Sequence, residues 1–156
     1  MLIFKALHIL SMFSAVALLI GEEVFIALAI WRRDVRGLAA IHRLSGRRVL
    51  TYAGAITFMA GIVFGLLTAA TGDLDFFSGW LIAAYVLVAA ILVLNGSPLV
   101  QKQVLPLMEE AVEAEAGQRP VEEVVRHMAG SPVVIVIAVN VVLFAAIILD
   151  MVLKPF

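Results

Sequence analysis

The chain has 156 residues, 63% of them hydrophobic and 15% charged, with a net charge of −1. A water-soluble domain sits near half apolar and a quarter charged, so the excess points to a membrane protein. Cysteine is absent, which excludes disulfides, thiolate metal sites and iron–sulfur clusters held by this chain. No phosphate loop, nucleophile constellation or basic nucleic-acid surface stands out.

The first apolar segment runs from about Leu2 to Trp31. Only Lys5 precedes its apolar run as a basic residue, and the run outlasts a signal peptide's, so it reads as a retained helix. The second segment covers about Val49–Thr71, the third about Phe76–Leu94 and the fourth about Val133–Leu153. Each is near or beyond the ~20 apolar residues that cross a bilayer. Helices are expected, because a helix satisfies its own backbone in lipid. The expected fold is all-α: a four-helix transmembrane bundle forming one domain over residues 1–156, with the bilayer as its first partner.

Arg32, Arg33, Arg36, Arg43, Arg47 and Arg48 lie between segments one and two. Lys102, Arg119 and Arg126 lie between three and four. Nine of the eleven basic residues therefore share one side, which predicts that side as cytoplasmic and both termini as outside. Trp31 and Trp80 are expected at opposite interfaces. In segment two, Gly54, Gly61 and Gly65 recur at helical spacing, with G-x-x-x-G at the last pair. Such a stripe lets two backbones approach closely, within one chain or between two copies.

Residues 98–131 form the one long polar stretch. Val104, Leu105, Met108, Ala111 and Val112 share a face of one predicted amphipathic helix. Pro120 suits the start of a second, in which Val121, Val124, Val125 and Met128 repeat at helical spacing until Gly130 and Pro132. Both are expected on the membrane surface. Their acidic face predicts a partner among the arginines between segments one and two, the two connections pairing as a charged lid. Two independently solvated faces are the alternative.

Three carboxylates and an asparagine fall inside the apolar segments. At ~100° per residue, Ser11, Met12, Ala15, Leu19, Glu22 and Glu23 all lie within about 60° of the His8 direction. That face should look into the bundle, because a charge turned to lipid is costly. His8 and Glu22 are about 21 Å apart along the axis, and Glu22 is about 13 Å from Trp31. Two polar layers follow. Glu22, Glu23 and Asn140 are expected near the midplane; His8 and Asp150, with Lys5 or Lys154, near the outer face. A midplane carboxylate suits a proton carrier, an ion ligand or a cofactor partner; it is equally a neutral acid held by Asn140, Thr57 or a backbone carbonyl. His8 with Asp150 reads as an interfacial ion pair or as a ligand pair. His8 with Met12 and Met151 offers nitrogen and thioether donors suited to copper or haem iron. His42 and His127, each beside an arginine, read as surface histidines on the side opposite His8.

The opening I-F-K-A-L-H-I-L, with lysine three residues before the histidine and then Gly21, resembles a group of small bacterial integral membrane proteins of unknown function. That group is similar to the copper-resistance CopD-like membrane domains and to the HemJ-type protoporphyrinogen oxidases. The resemblance implies a bacterial inner-membrane location and makes His8 a candidate ligand of haem b. Those enzymes carry an aromatic-small-glycine stretch and an arginine further along the helix, where this chain has L-L-I-G-E-E. Three functions are therefore expected in turn: a haem- or copper-linked redox protein using His8; an accessory subunit of a larger membrane complex or a homodimer; a proton- or cation-coupled carrier using Glu22 and Glu23.

Overall fold

A computed structural model describes residues 2–45, 49–72 and 74–153, with side-chain surroundings for all of these except 98–101. Among the described residues there is no strand, and seven helices follow one another: α1 Leu2–Arg32, α2 Val35–Ser45, α3 Val49–Thr71, α4 Gly79–Gly96, α5 Pro98–Glu115, α6 Val121–Gly130 and α7 Val133–Leu153. Helices α1, α3, α4 and α7 are long and apolar enough to cross a membrane, the mark of a multi-pass membrane protein.

The third span starts later than hydropathy suggests, at Gly79 rather than Phe76. The Asp75 carboxylate accepts the Phe77 N–H at 2.9 Å, and this local turn competes with the helix. The larger departure is α2. The stretch read as a connection is itself a helix. Its start is set by Asp34, whose carboxylate accepts the Gly37 N–H at 2.8 Å as an N-cap does. Arg33 takes a left-handed φ of 55°, and the Asp34 N–H bonds to the Ala29 carbonyl at 2.8 Å. This closes α1 with a Schellman turn at an arginine instead of the usual glycine.

The four spans stand in the order α3, α1, α7, α4, each packed on the next. Among the described residues the backbones of α3 and α4 do not approach each other. The α1–α3 pair is antiparallel and sits on the glycine stripe. A methyl group added at Gly54 would meet Leu19, one at Gly61 would meet Met12, and one at Gly65 would meet the His8 ring. The stripe is thus filled from within the chain, as small residues in lipid allow. Across the row, Phe58 of α3 lies 5.6 Å from Phe144 of α7, ring centre to ring centre.

Two apolar cores result. The bundle core gathers Ala15, Phe58, Ile91, Phe144 and Ile147. The second core lies under a lid made of α2, α5 and α6. It joins Leu38 and Ala39 of α2, Met108 and Ala111 of α5, Val124 and Met128 of α6 to the last turns of α1 and the first of α7. The apolar face of α5 is wider than its spacing suggests: Leu107 and Ala114 are buried beside Met108 and Ala111, because α5 is flanked by α2 and by α6 with α7.

The pairing of the two connections is mainly apolar. Among the described residues one ion pair, Arg43 to Glu115 at 2.6 Å, crosses between α2 and α5. Glu110 and Glu113 are held from within their own segment: Arg119 meets Glu110 at 3.0 Å and Glu113 at 3.2 Å, and His127 meets Glu110 at 2.8 Å. Arg47 and Arg48 lie outside the described residues.

Candidate functional site

A polar layer separates the two cores. Glu22 and Glu23 follow one another on α1 and diverge to different partners. Glu22 accepts hydrogen bonds from the Ser45 hydroxyl at 2.7 Å and the Thr51 hydroxyl at 3.1 Å. Glu23 accepts from the Asn140 side-chain amide, whose nitrogen is 2.8 Å from both carboxylate oxygens. The Asn140 oxygen in turn accepts from Asn95 at 3.0 Å, and Asn95 also donates to the Ile91 carbonyl at 2.8 Å. Asn140 is 2% exposed. Such burial is tolerable only with partners, and the chain Ile91–Asn95–Asn140–Glu23 supplies them. Among the described residues, no cation lies within ion-pair distance of either glutamate; every donor that reaches them is neutral.

The layer lies where α3 begins and α4 ends. Thr51 opens α3, Asn95 closes α4, and Ser45 ends α2. All three meet the Glu22–Glu23 level, so the carboxylates sit where the bundle ends and the lid begins. Leu2 to Glu22 already covers about 30 Å of helix axis, a full hydrocarbon thickness. The last ten residues of α1 rise past it into the lid, where Ile26, Ala29 and Ile30 are buried. Trp31 belongs to that extension and is exposed, so it is a poor depth marker.

His8 packs against α3. Its Nδ1 lies 2.7 Å from the Gly61 carbonyl. A carbonyl only accepts, so Nδ1 carries the proton, which in the neutral imidazole leaves the lone pair on Nε2. Gly61 lies mid-way along α3 and Met12 fills the notch beside it. The expected ion pair with Asp150 does not form: the two are not within ion-pair distance. Asp150 is half-buried, its Oδ2 enclosed with no hydrogen-bond partner among the described residues. Met151 follows it near the end of α7, half-buried. Lys5 is exposed, and Lys154 lies outside the described residues. The structure therefore brings Glu23 and Asn140 together and leaves His8, Asp150 and Met151 apart from that cluster. Thr57 turns to its own helix, donating to the Ala53 and Gly54 carbonyls at 2.9 Å each. His42 lies on α2, and His127 on α6 is occupied by Glu110.

Ser45, Thr51 and Asn95 went unread in the sequence. Asn95 had a signal, an amide at the end of a span, level with Asn140. Ser45 and Thr51 had none, because small hydroxyls at helix ends are common. Comparison with family models, curated proteins and solved structures finds no match to this chain.

Proposed function

We propose that this protein handles protons or small cations in a bacterial inner membrane, with Glu22 and Glu23 as the coupling pair. Its lid would face the cytoplasm and both termini the outside, as the arginines around α2 favour. The supporting observation is the pair itself: adjacent carboxylates at the edge of the apolar layer, each accepting hydrogen bonds from neutral donors and, among the described residues, neither neutralised by a cation. A carboxylate in that setting exchanges a proton or a cation without first breaking an ion pair, and ionisable groups at membrane depth commonly mark such paths. The test is proton movement into vesicles. The purified protein, reconstituted with an internal pH dye, is driven by a potassium gradient and valinomycin. Wild type should outpace empty vesicles; Glu22→Gln and Glu23→Gln should fall toward the empty level, while His8→Ala stays near wild type. Wild-type vesicles no leakier than empty ones would overturn the reading.

His8 favours a second reading, a haem b or copper-linked redox protein. An imidazole that donates through Nδ1 to a carbonyl and offers Nε2 has the orientation of a metal-ligating histidine. A porphyrin has no room in the α1–α3 seam, which is closed at Gly61 and Gly65, so His8 would hold it from outside that seam. Haem would supply one-electron chemistry there. Oxidised and dithionite-reduced absorption spectra test this: a Soret band lost in His8→Ala supports it, and a featureless spectrum from haem-replete cells removes it.

A further inference from the structure

Two hollows meet at Gln103 of α5. The first is a cavity of about 20 Å³ bordered by Glu23, Asn95, Asn140 and Gln103, with Val104 and Val133 in its wall. A water needs about 10–15 Å³ and two to four polar partners; this cavity has the volume, but its wall is mainly apolar. The second is an open groove of about 360 Å³ between α5 and the corner joining α6 to α7, lined by Gln103, Pro106, Glu110, Arg126, His127 and Ser131. Gln103 borders both hollows. It is half-buried, and no hydrogen bond within the described residues holds its amide.

Its helix is also weakened at this point. Pro106 lies inside α5. It has no N–H, so the Lys102 carbonyl, one residue before Gln103, loses its helical partner. Gln103, which borders both hollows, thus stands on a turn of α5 that lacks one backbone hydrogen bond. Of the two glutamates, only Glu23 borders the cavity; Glu22 turns to Ser45 and Thr51. The groups that border the two hollows are unlike. Glu23 meets neutral amides, whereas the groove carries the Glu110–His127 pair at 2.8 Å and Arg126.

We propose that the groove is the aqueous mouth of a proton route to Glu23, with Gln103 as its movable partition and a water admitted past it as the final relay. This rests on the reading of Glu22 and Glu23 as a proton-handling pair. A hydronium in the groove passes its proton to the admitted water, and that water passes one to a Glu23 carboxylate oxygen. Each O–H bond that breaks on a water is matched by one that forms on the next oxygen. Release runs the same steps in reverse, and no other reactant is consumed. Gln103 is a positioning residue: its amide admits or excludes the connecting water.

The route is tested in the full chain by thiol labelling, which needs no transport. Ser131→Cys reports the groove and Val104→Cys reports the cavity, each probed with a small charged methanethiosulfonate. With Gln103 present, the groove cysteine should react fast and the cavity cysteine slowly. Gln103→Ala should speed the cavity cysteine severalfold and leave the groove cysteine unchanged, which also shows the lid folded. Gln103→Phe should stop the cavity cysteine from reacting. A cavity cysteine that reacts equally in all three backgrounds, or a groove cysteine that does not react, overturns the route. Vesicle flux is read on the same variants. Labelling as expected with flux never above empty vesicles overturns the proton-handling reading instead, so the two failures are distinguishable.

Discussion

The bundle core and the lid core are built from similar side chains and held by different forces. In the bundle, Phe58, Ile91, Phe144 and Ile147 pack among helices whose apolar windows remain mostly exposed, 17–28% buried inside the protein. Lipid solvates those outer faces as well as a neighbouring helix would, so burial by itself drives little. Association there depends on close fit: the three glycine notches on α3, filled by Leu19, Met12 and His8, and the tilted Phe58–Phe144 contact. In the lid, Leu38, Ala39, Ala111 and Val124 are fully enclosed. Amphipathic helices there leave water as they pack, and the hydrophobic effect acts in full. The same kind of apolar residue therefore stabilises the two halves to different extents. The polar layer of Glu22, Glu23, Asn95 and Asn140 lies at the seam between the two regimes.

The comparison breaks most readily in the lid. Leu38 is fully buried, and Leu38→Ala should cost about 2–5 kcal/mol, the transfer loss plus the cavity left behind. The loss should show as early protease cleavage and fast amide exchange in α2 and α5, with α3 still protected. Equal loosening of α3 would mean that the two cores melt as one. A smaller effect is expected in the seam. Asn140→Leu strands the Glu23 carboxylate and Asn95, and should cost about 1–3 kcal/mol in thermal or denaturant melts. Adding Glu23→Leu should restore part of that, since replacing both partners removes the stranded group; a double variant as unstable as the sum of the singles would count against the pairing. The smallest effect lies at the surface. Arg43 is about half exposed, so Arg43→Glu should cost less than about 1 kcal/mol, with Glu115→Arg restoring it. A large loss would show that charge, not apolar packing, holds the lid.

The four spans were legible because twenty or so apolar residues in a row have few alternatives. The meeting of Glu23 with Asn140 was legible too, because a fixed rise per residue puts two antiparallel helices in register. Helix α2 was not. Its apolar positions Val35, Leu38 and Ala39 recur at helical spacing, yet Gly37 and the arginines around them resemble a solvated connection. The end of α1 was not legible either. Trp31 looked like an interface anchor, but α1 overshoots the bundle and ends within the lid. An apolar helix end packed under a water-facing lid and one immersed in lipid have the same composition.

The sequence by itself determined that this chain is helical, that four of its segments are long and apolar enough to cross a membrane, and that one face of the first carries its polar groups. These are local properties, set by hydropathy and by the geometry of a single helix. Only the tertiary structure decided which donors reach each glutamate, that Gly61 and Gly65 receive Met12 and His8, and that His8 and Asp150 stay apart. Those outcomes depend on which helix stands beside which, and a polar group in an apolar surround takes the partner that packing brings within about 3 Å.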